Sequence, residues 1–310
     1  MKKIALATVA AACVAGIGTS AFAADLAVKA PPMVAPPVVS PWDVAFGGAL
    51  MTDYVFRGIS QSARSGSVAA YVEPRYNVLP NLQLYAGVAG ESIKFANDAA
   101  AEIDVYGGFR PTFGPLAFDF GFWYYAYPDG SNSYYAPYGD PLVNFLVPAL
   151  KDQNFYEVYG KVTWTINDFF AIGGNVFYTP SFLNTGADGT YFSATAKLTA
   201  PAGMLPYDVG AYVSGEIGRQ ELGTTDVIPL VYTPAVDLPS YTTWNVGLGF
   251  TWKAFTLDLR YIDTDLSEEN CFVLTGDPDA SRGTLGLGSN WCGETFVAKL
   301  SFDTSILSLK

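Results

Sequence analysis

The amino-acid sequence predicts an all-β fold, a single transmembrane antiparallel up-and-down β-barrel of about twelve strands. Three observations support this. Half of the 310 residues are hydrophobic and only 15% are charged. Segments with a side-chain period of two, which is typical of strands, recur from residue 42 onward. The connections between these segments alternate between short and long, as in outer-membrane barrels.

The first 23 residues have the features of a secretory signal peptide. Lys2 and Lys3 form a positively charged start, and an apolar stretch from Ile4 to Ile17 follows. An A-x-A cleavage site ends at Ala23, so the mature chain is predicted to begin at Ala24. The apolar stretch is too short to cross a membrane as a helix.

Residues 24–41 are rich in proline and show no regular period. This composition predicts an extended periplasmic linker. A passive tether and a segment that binds peptidoglycan or a partner are both open interpretations. Residues 42–310 then form the outer-membrane barrel.

Twelve segments carry the strand pattern. They lie at about 42–60, 66–78, 82–92, 101–110, 115–127, 153–165, 168–180, 189–200, 207–218, 241–252, 254–264 and 293–303. In each segment one phase has no charged residue and the opposite phase holds the charges. A soluble sandwich does not need this separation, whereas a charge at mid-bilayer costs about 2–4 kcal/mol. The uncharged phase is therefore predicted to face lipid.

The first segment, 42–60, is predicted to be one continuous strand. Its uncharged side includes Tyr54 and Phe56, and its other side carries Asp53 and Arg57. The alternation predicts that the two aromatic residues face lipid and that the two charged residues face the lumen.

Connection lengths give an independent prediction of topology. A periplasmic N-terminus requires tight turns after even strands and long outer loops after odd strands. The even connections are mostly short, and the odd ones include residues 128–152, 219–240 and 265–292. An even number of strands also returns the C-terminus to the periplasmic side.

Charged residues of the inner phase are the candidate pore-lining positions. They are Asp53, Arg57, Glu73, Arg75, Asp104, Arg110, Asp119, Glu157, Lys161, Asp258 and Arg260. Two interpretations are open. The charges pair with one another because an unpaired ion in a narrow lumen is costly, or opposed charges form a constriction that sets ion or solute preference. Glu102 and Asp104 share a strand face, which is expected by chance among so many carboxylates.

Several functional classes are disfavoured by composition. The chain has no histidine, so Ser-His and Cys-His catalysis and imidazole-based zinc sites are excluded. No motif supports an enzyme built on carboxylates alone, so no enzymatic activity, cofactor or metal is predicted. The net charge of −12 argues against nucleic-acid binding. The last long loop is acidic, and two interpretations of it are open. Its carboxylates bind Ca²⁺, although they match no fixed ligand spacing, or the loop is solvated and is repelled by anionic lipopolysaccharide or bridged to it through divalent ions.

Cys271 and Cys292 both lie in the last long loop, and they are the cysteines left after signal cleavage. Export through an oxidising compartment favours a disulfide between them. Closing this loop would contribute about 3 kcal/mol in the chain-entropy model. The alternative is two free thiols.

The segment Thr52 to Ser62, TDYVFRGISQS, resembles the leading motif of the TorF-type porins, a family formerly catalogued as the Gcw_chp domain of unknown function. The segment Tyr261 to Ser267, followed by Cys271 and Cys292, is similar to that family's C-terminal pattern. The stretch ADLAVKAPP after the signal peptide is similar to the start of alphaproteobacterial outer-membrane barrels. The resemblance implies a porin-like barrel in the outer membrane of a Gram-negative bacterium. The predicted signal peptide implies that Sec-type export takes it there.

The expected function is passive diffusion of small hydrophilic solutes or ions. The alternative is a closed structural or adhesive barrel whose lumen is plugged by salt bridges. Outer-membrane lipid and lipopolysaccharide are expected partners of the uncharged outer face. The barrel-assembly machinery is a further expected partner, because the alternating aromatic residues Phe296 and Phe302 resemble an assembly signal in the last strand. The solute and the oligomeric state stay open.

Overall fold

The computed structural model describes part of the chain. The described residues are 41–130, 133–135, 146–148, 152–226, 235–277, 279–283 and 286–309. The predicted signal peptide with its cleavage site between Ala23 and Ala24, and all of the predicted linker except Pro41, lie outside them. So does most of the predicted loop 128–152.

Twelve strands of the described chain form one closed antiparallel barrel. They are β1 Trp42–Met51, β2 Ser67–Leu79, β3 Leu82–Glu91, β4 Glu102–Phe113, β5 Leu116–Ala126, β6 Phe155–Thr165, β7 Phe170–Thr179, β8 Gly189–Thr199, β9 Gly210–Leu222, β10 Tyr241–Trp252, β11 Phe255–Thr264 and β12 Thr295–Ser305. Each strand pairs with the next along the chain, and β12 pairs with β1 to close the barrel. The predicted fold class is confirmed.

The period-two pattern explains why these segments form strands with two different faces. In β2, Val68 and Val72 point outward and are exposed, whereas Ala69, Tyr71 and Glu73 alternate with them and are buried. The same outward exposure of apolar side chains recurs around the barrel. So large an apolar surface is stable only against hydrocarbon, as the predicted transmembrane barrel requires.

Exposed aromatic rings surround the barrel at both ends of the strands. One group is Trp42, Phe113, Trp164, Phe169, Trp252 and Phe255, and the other is Tyr124, Tyr156, Tyr178, Phe192, Trp244 and Phe296. Aromatic residues favour the boundary between hydrocarbon and water. The two groups are therefore consistent with the two interfaces of a membrane.

The two ends of the barrel differ in their connections. At the short-turn end the connections are 80–81, 114–115, 166–169, 200–209 and 253–254. At the long-loop end they are 52–66, 92–101, 127–154, 180–188, 223–240 and 265–294. The predicted asymmetry is present, although 200–209 is as long as the shorter connections of the long-loop end.

The prediction of one continuous strand over residues 42–60 is wrong. The first strand ends at Met51, and the chain then turns into the barrel as a small hairpin with arms Val55–Phe56 and Ile59–Ser60. Tyr54 is only 3% exposed and does not face lipid. Residues 52–62, which contain this hairpin, are called the lumen hairpin below.

The turn of the lumen hairpin explains why the strand cannot continue. Arg57 and Gly58 both have positive φ angles, of 47° and 85°, as a two-residue type I′ turn requires. A Cβ atom on Gly58 would lie 2.3 Å from Cγ2 of Thr264 and 2.5 Å from Oγ1 of Thr243. Only glycine fits both the backbone conformation and the space.

The connection between β11 and β12 contains a helix, α1, at Glu268–Thr275. Ser267 caps its N-terminus by accepting a hydrogen bond from the backbone of Asn270, and Gly276 ends it in the left-handed conformation. Cys271 and Cys292 form the expected disulfide. No helix among the described residues is long and apolar enough to cross a membrane.

Candidate functional site

The tip of the lumen hairpin crosses the barrel interior. Arg57 donates two hydrogen bonds to Glu157 of β6, with Nη1–Oε1 and Nη2–Oε2 distances of 2.9 and 2.7 Å. Its Nη1 also lies 2.9 Å from Oε1 of Gln220 on β9. Because β6 and β9 belong to the side of the closed barrel far from β1, the hairpin spans the lumen.

Aromatic rings enclose the guanidinium group of Arg57. Its Cζ atom lies 4.6 Å from the ring centre of Phe56, 4.9 Å from that of Phe177 and 4.4 Å from that of Tyr191. The Arg57 side chain is 0% exposed. Cation–π contacts strengthen when water is excluded. The ion pair with Glu157 therefore lies in a dry aromatic environment.

Asp53 fixes the base of the lumen hairpin. Its Oδ1 accepts hydrogen bonds from Ser60 Oγ at 2.6 Å and Ser62 Oγ at 2.9 Å, and its Oδ2 lies 3.3 Å from Nη1 of Arg64. Burial raises the pKa of Asp53 above its ordinary value, although these hydrogen bonds and the charge of Arg64 oppose the shift. The carboxyl group holds the two ends of the hairpin together.

The disulfide-bonded loop covers the lumen hairpin from the long-loop end. Nη2 of Arg64 donates to the backbone oxygens of Asn290 and Gly293, both at 2.7 Å. The backbone N–H of Ser60 donates to the backbone oxygen of Trp291 at 2.8 Å. The segment next to Cys292 therefore helps to keep the hairpin inside the barrel.

A cavity of about 100 Å³ lies beside the hairpin at the long-loop end. Its lining includes Phe56, Gln61, Glu102, Leu183 and Trp291. The cavity is enclosed partly by the hairpin and partly by residues of the loops. It gives the buried carboxyl of Glu102 access to open space at this end of the barrel.

Further ion pairs lie along the barrel wall. Glu73 on β2 lies 2.5 Å from Nε of Arg75 on the same strand and 2.8 Å from Nη1 of Arg110 on β4. Arg110 is also 3.2 Å from Asp119 on β5 and stacks 3.6 Å from the ring centre of Tyr85. These contacts join side chains within the consecutive strands β2 to β5, so they follow the wall.

A second wall network lies on β11. Arg260 donates to both carboxylate oxygens of Asp258 at 3.0 Å, and to Oγ of Ser214 at 2.8 Å. On β6, the ammonium group of Lys161 lies 5.0 Å from the ring centre of Tyr159. These groups also lie against the inner wall.

The structure thus places the sequence-predicted pore residues in five groups. Arg57 and Glu157 pair across the lumen, and Asp53 holds the base of the hairpin. Glu73, Arg75, Arg110 and Asp119 form one wall network, Asp258 and Arg260 form another, and Lys161 packs on aromatic rings. Asp104 belongs to none of these groups.

Asp104 lies in a cluster with Glu91 and Glu102, and all three side chains are buried. Glu91 and Glu102 are directly opposite each other in the β3–β4 ladder. One carboxylate oxygen from each of the three residues lies within 4.8 Å of the others. Two ionised carboxylates at this separation repel by about 3 kcal/mol at an effective dielectric constant of about 20. Like charges directly opposite in a sheet destabilise it.

Two tyrosines connect this acidic cluster to the rest of the site. Tyr54, at the base of the lumen hairpin, donates to Oε1 of Glu102 at 2.6 Å, and Tyr127 donates to Oε2 at 3.0 Å. The sequence prediction did not select Glu91, Glu102 or Gln220 as site residues. The pairing of Glu91 with Glu102 depends on the register of β3 and β4, which the sequence pattern did not provide. Nothing in the sequence separates Gln220 from the other polar residues of the inner phase.

A family model described as a bacterial protein of unknown function (Gcw_chp) matches residues 36–282. The chain belongs to this family. The match covers most of the barrel and confirms the family resemblance of the sequence. The motif that carries that resemblance, residues 52–62, is the lumen hairpin. No curated relative matches the chain by sequence.

Solved structures with a similar overall shape include outer-membrane barrels. The KdgM porin has 8% identity and a TM-score of 0.42, and the match covers 84% of this chain and 98% of that one. An outer-membrane channel from Pseudomonas putida F1 has 10% identity and a TM-score of 0.44, covering 90% and 100%. LpxR from Salmonella typhimurium has 11% identity and a TM-score of 0.39, covering 84% and 99%. At these levels the similarities carry no argument about function.

Proposed function

We propose that this protein is an outer-membrane channel for passive diffusion of small hydrophilic solutes or ions, and that the lumen hairpin closes it. The observation that carries the proposal is the path of the ion pairs. Arg57 and Glu157 join opposite sides of the lumen, whereas the pairs of Glu73 and Asp258 follow the wall. If the lumen hairpin left the lumen, the contact across the lumen would be lost and the ion pairs along the barrel wall would remain.

The inner wall supports solute passage by its chemistry. Charged groups such as Arg110, Asp119, Lys161 and Arg260 line it on several strands. Opposed charges on the wall of a pore set ion or solute preference. A twelve-stranded barrel leaves a narrow lumen once side chains fill it, so the proposed solutes are small.

Location and partners belong to the same proposal. The apolar outer face and its two aromatic groups suit an integral protein of a Gram-negative outer membrane. Lipid and lipopolysaccharide would contact this face, and the barrel-assembly machinery would insert the protein after Sec-type export. The proposed transport needs no catalytic residue, cofactor or nucleic acid.

A closed structural or adhesive barrel is the second candidate. Two observations favour this candidate. Arg57 is completely buried, and the hairpin is held by the ion pair of Asp53 with Arg64 and by the backbone hydrogen bond from Ser60 to Trp291. In this case the hairpin would be a permanent part of the core, and its ion pair would only stabilise the fold.

Solute flux into proteoliposomes tests the proposal. Vesicles containing the folded protein are placed in isotonic solutions of sugars of increasing size, and swelling is followed by light scattering. The channel predicts swelling that is fastest for the smallest sugar and faster for Arg57→Ser than for the wild type. No swelling with either folded protein would refute the channel and favour the closed barrel.

A further inference from the structure

The acidic cluster of Glu91, Glu102 and Asp104 brings three buried carboxyl groups close together. The three carboxyl groups come from two adjacent strands and point to one place inside the barrel. No ion pair found within the described ranges includes Glu102 or Asp104. Arg57 forms its bidentate pair with Glu157 instead.

Asp104 supplies the observation that points to a ligand. Its side chain is 0% exposed, and both of its carboxylate oxygens are without a hydrogen-bond partner in the part of the chain that the structure describes. The indole N–H of Trp123 is directed at Asp104 as its neighbouring hydrogen-bond donor, but the two groups do not reach the distance and angle of a hydrogen bond. A buried carboxylate with no donor is costly. An ion that these oxygens coordinate removes the cost.

We infer that Glu91, Glu102 and Asp104 form a binding site for one Ca²⁺ ion inside the barrel wall. Carboxylate oxygens are the ligands that Ca²⁺ prefers, at about 2.3–2.6 Å. The three oxygens lie within 4.8 Å of one another, so an ion placed between them is at most about 2.8 Å from each, and a small inward movement of the side chains reaches the Ca²⁺–oxygen distance of about 2.3–2.6 Å. Three carboxylates offer up to six oxygens, which reaches the lower limit of Ca²⁺ coordination.

The proposed Ca²⁺ site can be reached from the long-loop end, and it is joined to the lumen hairpin by a hydrogen bond. Glu102 also lines the cavity at the long-loop end, so an ion entering from that side reaches the cluster without unfolding the wall. Tyr54 of the lumen hairpin donates to Glu102. A bound ion orients this carboxylate and thereby stiffens the base of the hairpin. The site itself does not depend on the proposed channel activity.

The test uses Tb³⁺, a luminescent substitute for Ca²⁺, on the purified protein in detergent. Trp123 stacks on Tyr106 with ring centres 4.2 Å apart and lies beside Asp104, so excitation of tryptophan sensitises a bound Tb³⁺. The proposal predicts saturable Tb³⁺ luminescence that Ca²⁺ displaces and Mg²⁺ displaces less well. Asp104→Asn weakens this binding at least about tenfold. The matched control Glu269→Gln, which removes an exposed carboxylate on α1, leaves it unchanged.

Thermal melting provides the second readout. Ca²⁺ raises the melting temperature of the wild type and of Glu269→Gln but not that of Asp104→Asn. In EDTA, Asp104→Asn melts at the wild-type temperature or above it, because it has lost a repulsive charge. Equal Tb³⁺ binding by the wild type and Asp104→Asn would overturn the proposal. Failure of Asp104→Asn to fold in EDTA would also overturn it.

Discussion

Oε2 of Glu157 lies 2.7 Å from Nη2 of Arg57, although the two residues belong to opposite sides of the barrel. The arginine reaches the glutamate because the chain after β1 turns inward at Arg57–Gly58 instead of continuing as a strand. Residues 52–62 alternate between apolar and polar side chains like a lipid-facing strand, but in the structure they cross the lumen.

Removing the charge of Arg57 should destabilise the barrel strongly. Arg57→Gln leaves Glu157 buried without its counter-ion, which costs about 3–5 kcal/mol in the free energy of unfolding. The double variant Arg57→Gln/Glu157→Gln should recover a large part of this loss. Urea unfolding in lipid vesicles measures both. A loss below about 1 kcal/mol, the range of solvent-exposed pairs, would mean that water reaches the ion pair.

The disulfide should stabilise both the loop and the lumen hairpin. Cys271 and Cys292 are 21 residues apart, and opening such a loop costs about 3 kcal/mol in the chain-entropy model. The variant Cys271→Ser/Cys292→Ser should therefore unfold at lower denaturant concentration than the wild type. Amide hydrogen exchange at Ser60, which donates to Trp291, should also accelerate. Unchanged exchange at Ser60 would show that the loop does not hold the hairpin.

Asp53 should make stability depend on pH in a direction opposite to that of most carboxylates. Its pKa in the folded protein is raised above the ordinary value of 3.8 by burial. Its favourable contribution is therefore complete below that ordinary value and is lost as the pH rises through the raised pKa. The unfolding free energy of the wild type minus that of Asp53→Asn should fall over this range. A difference that rises with pH would contradict the assigned shift.

A charge on the outer face should destabilise the protein according to its depth in the membrane. Val246 is 52% exposed in the middle of β10, and Val246→Lys should cost about 2–4 kcal/mol in a bilayer. Tyr207 is also exposed but lies in the connection 200–209 at the short-turn end. Tyr207→Lys should cost little. Equal costs in reversible unfolding from vesicles would refute the placement of the hydrocarbon belt.

The sequence predicted the twelve strands and their two faces because hydrocarbon excludes charge from one face of every strand. It predicted the wrong path for residues 52–60, since alternation continues through both arms of the hairpin and only the Arg57–Gly58 turn interrupts it. The cross-lumen pair of Arg57 with Glu157 depends on that turn. The sequence placed Glu102 and Asp104 on one strand face, but it did not bring Glu91 to them, because the register that opposes Glu91 and Glu102 is set by strand pairing.

Single-channel conductance in planar bilayers tests the central claim most directly. The wild type is compared with a variant in which residues 53–62 are replaced by a short Gly-Ser linker, and with Glu269→Gln as a folded control. If the lumen hairpin closes a channel, the replacement gives large, steady current steps, while the wild type and the control give rare or small ones. Equal conductance of all three proteins, or silence from a correctly folded hairpin variant, would contradict the account.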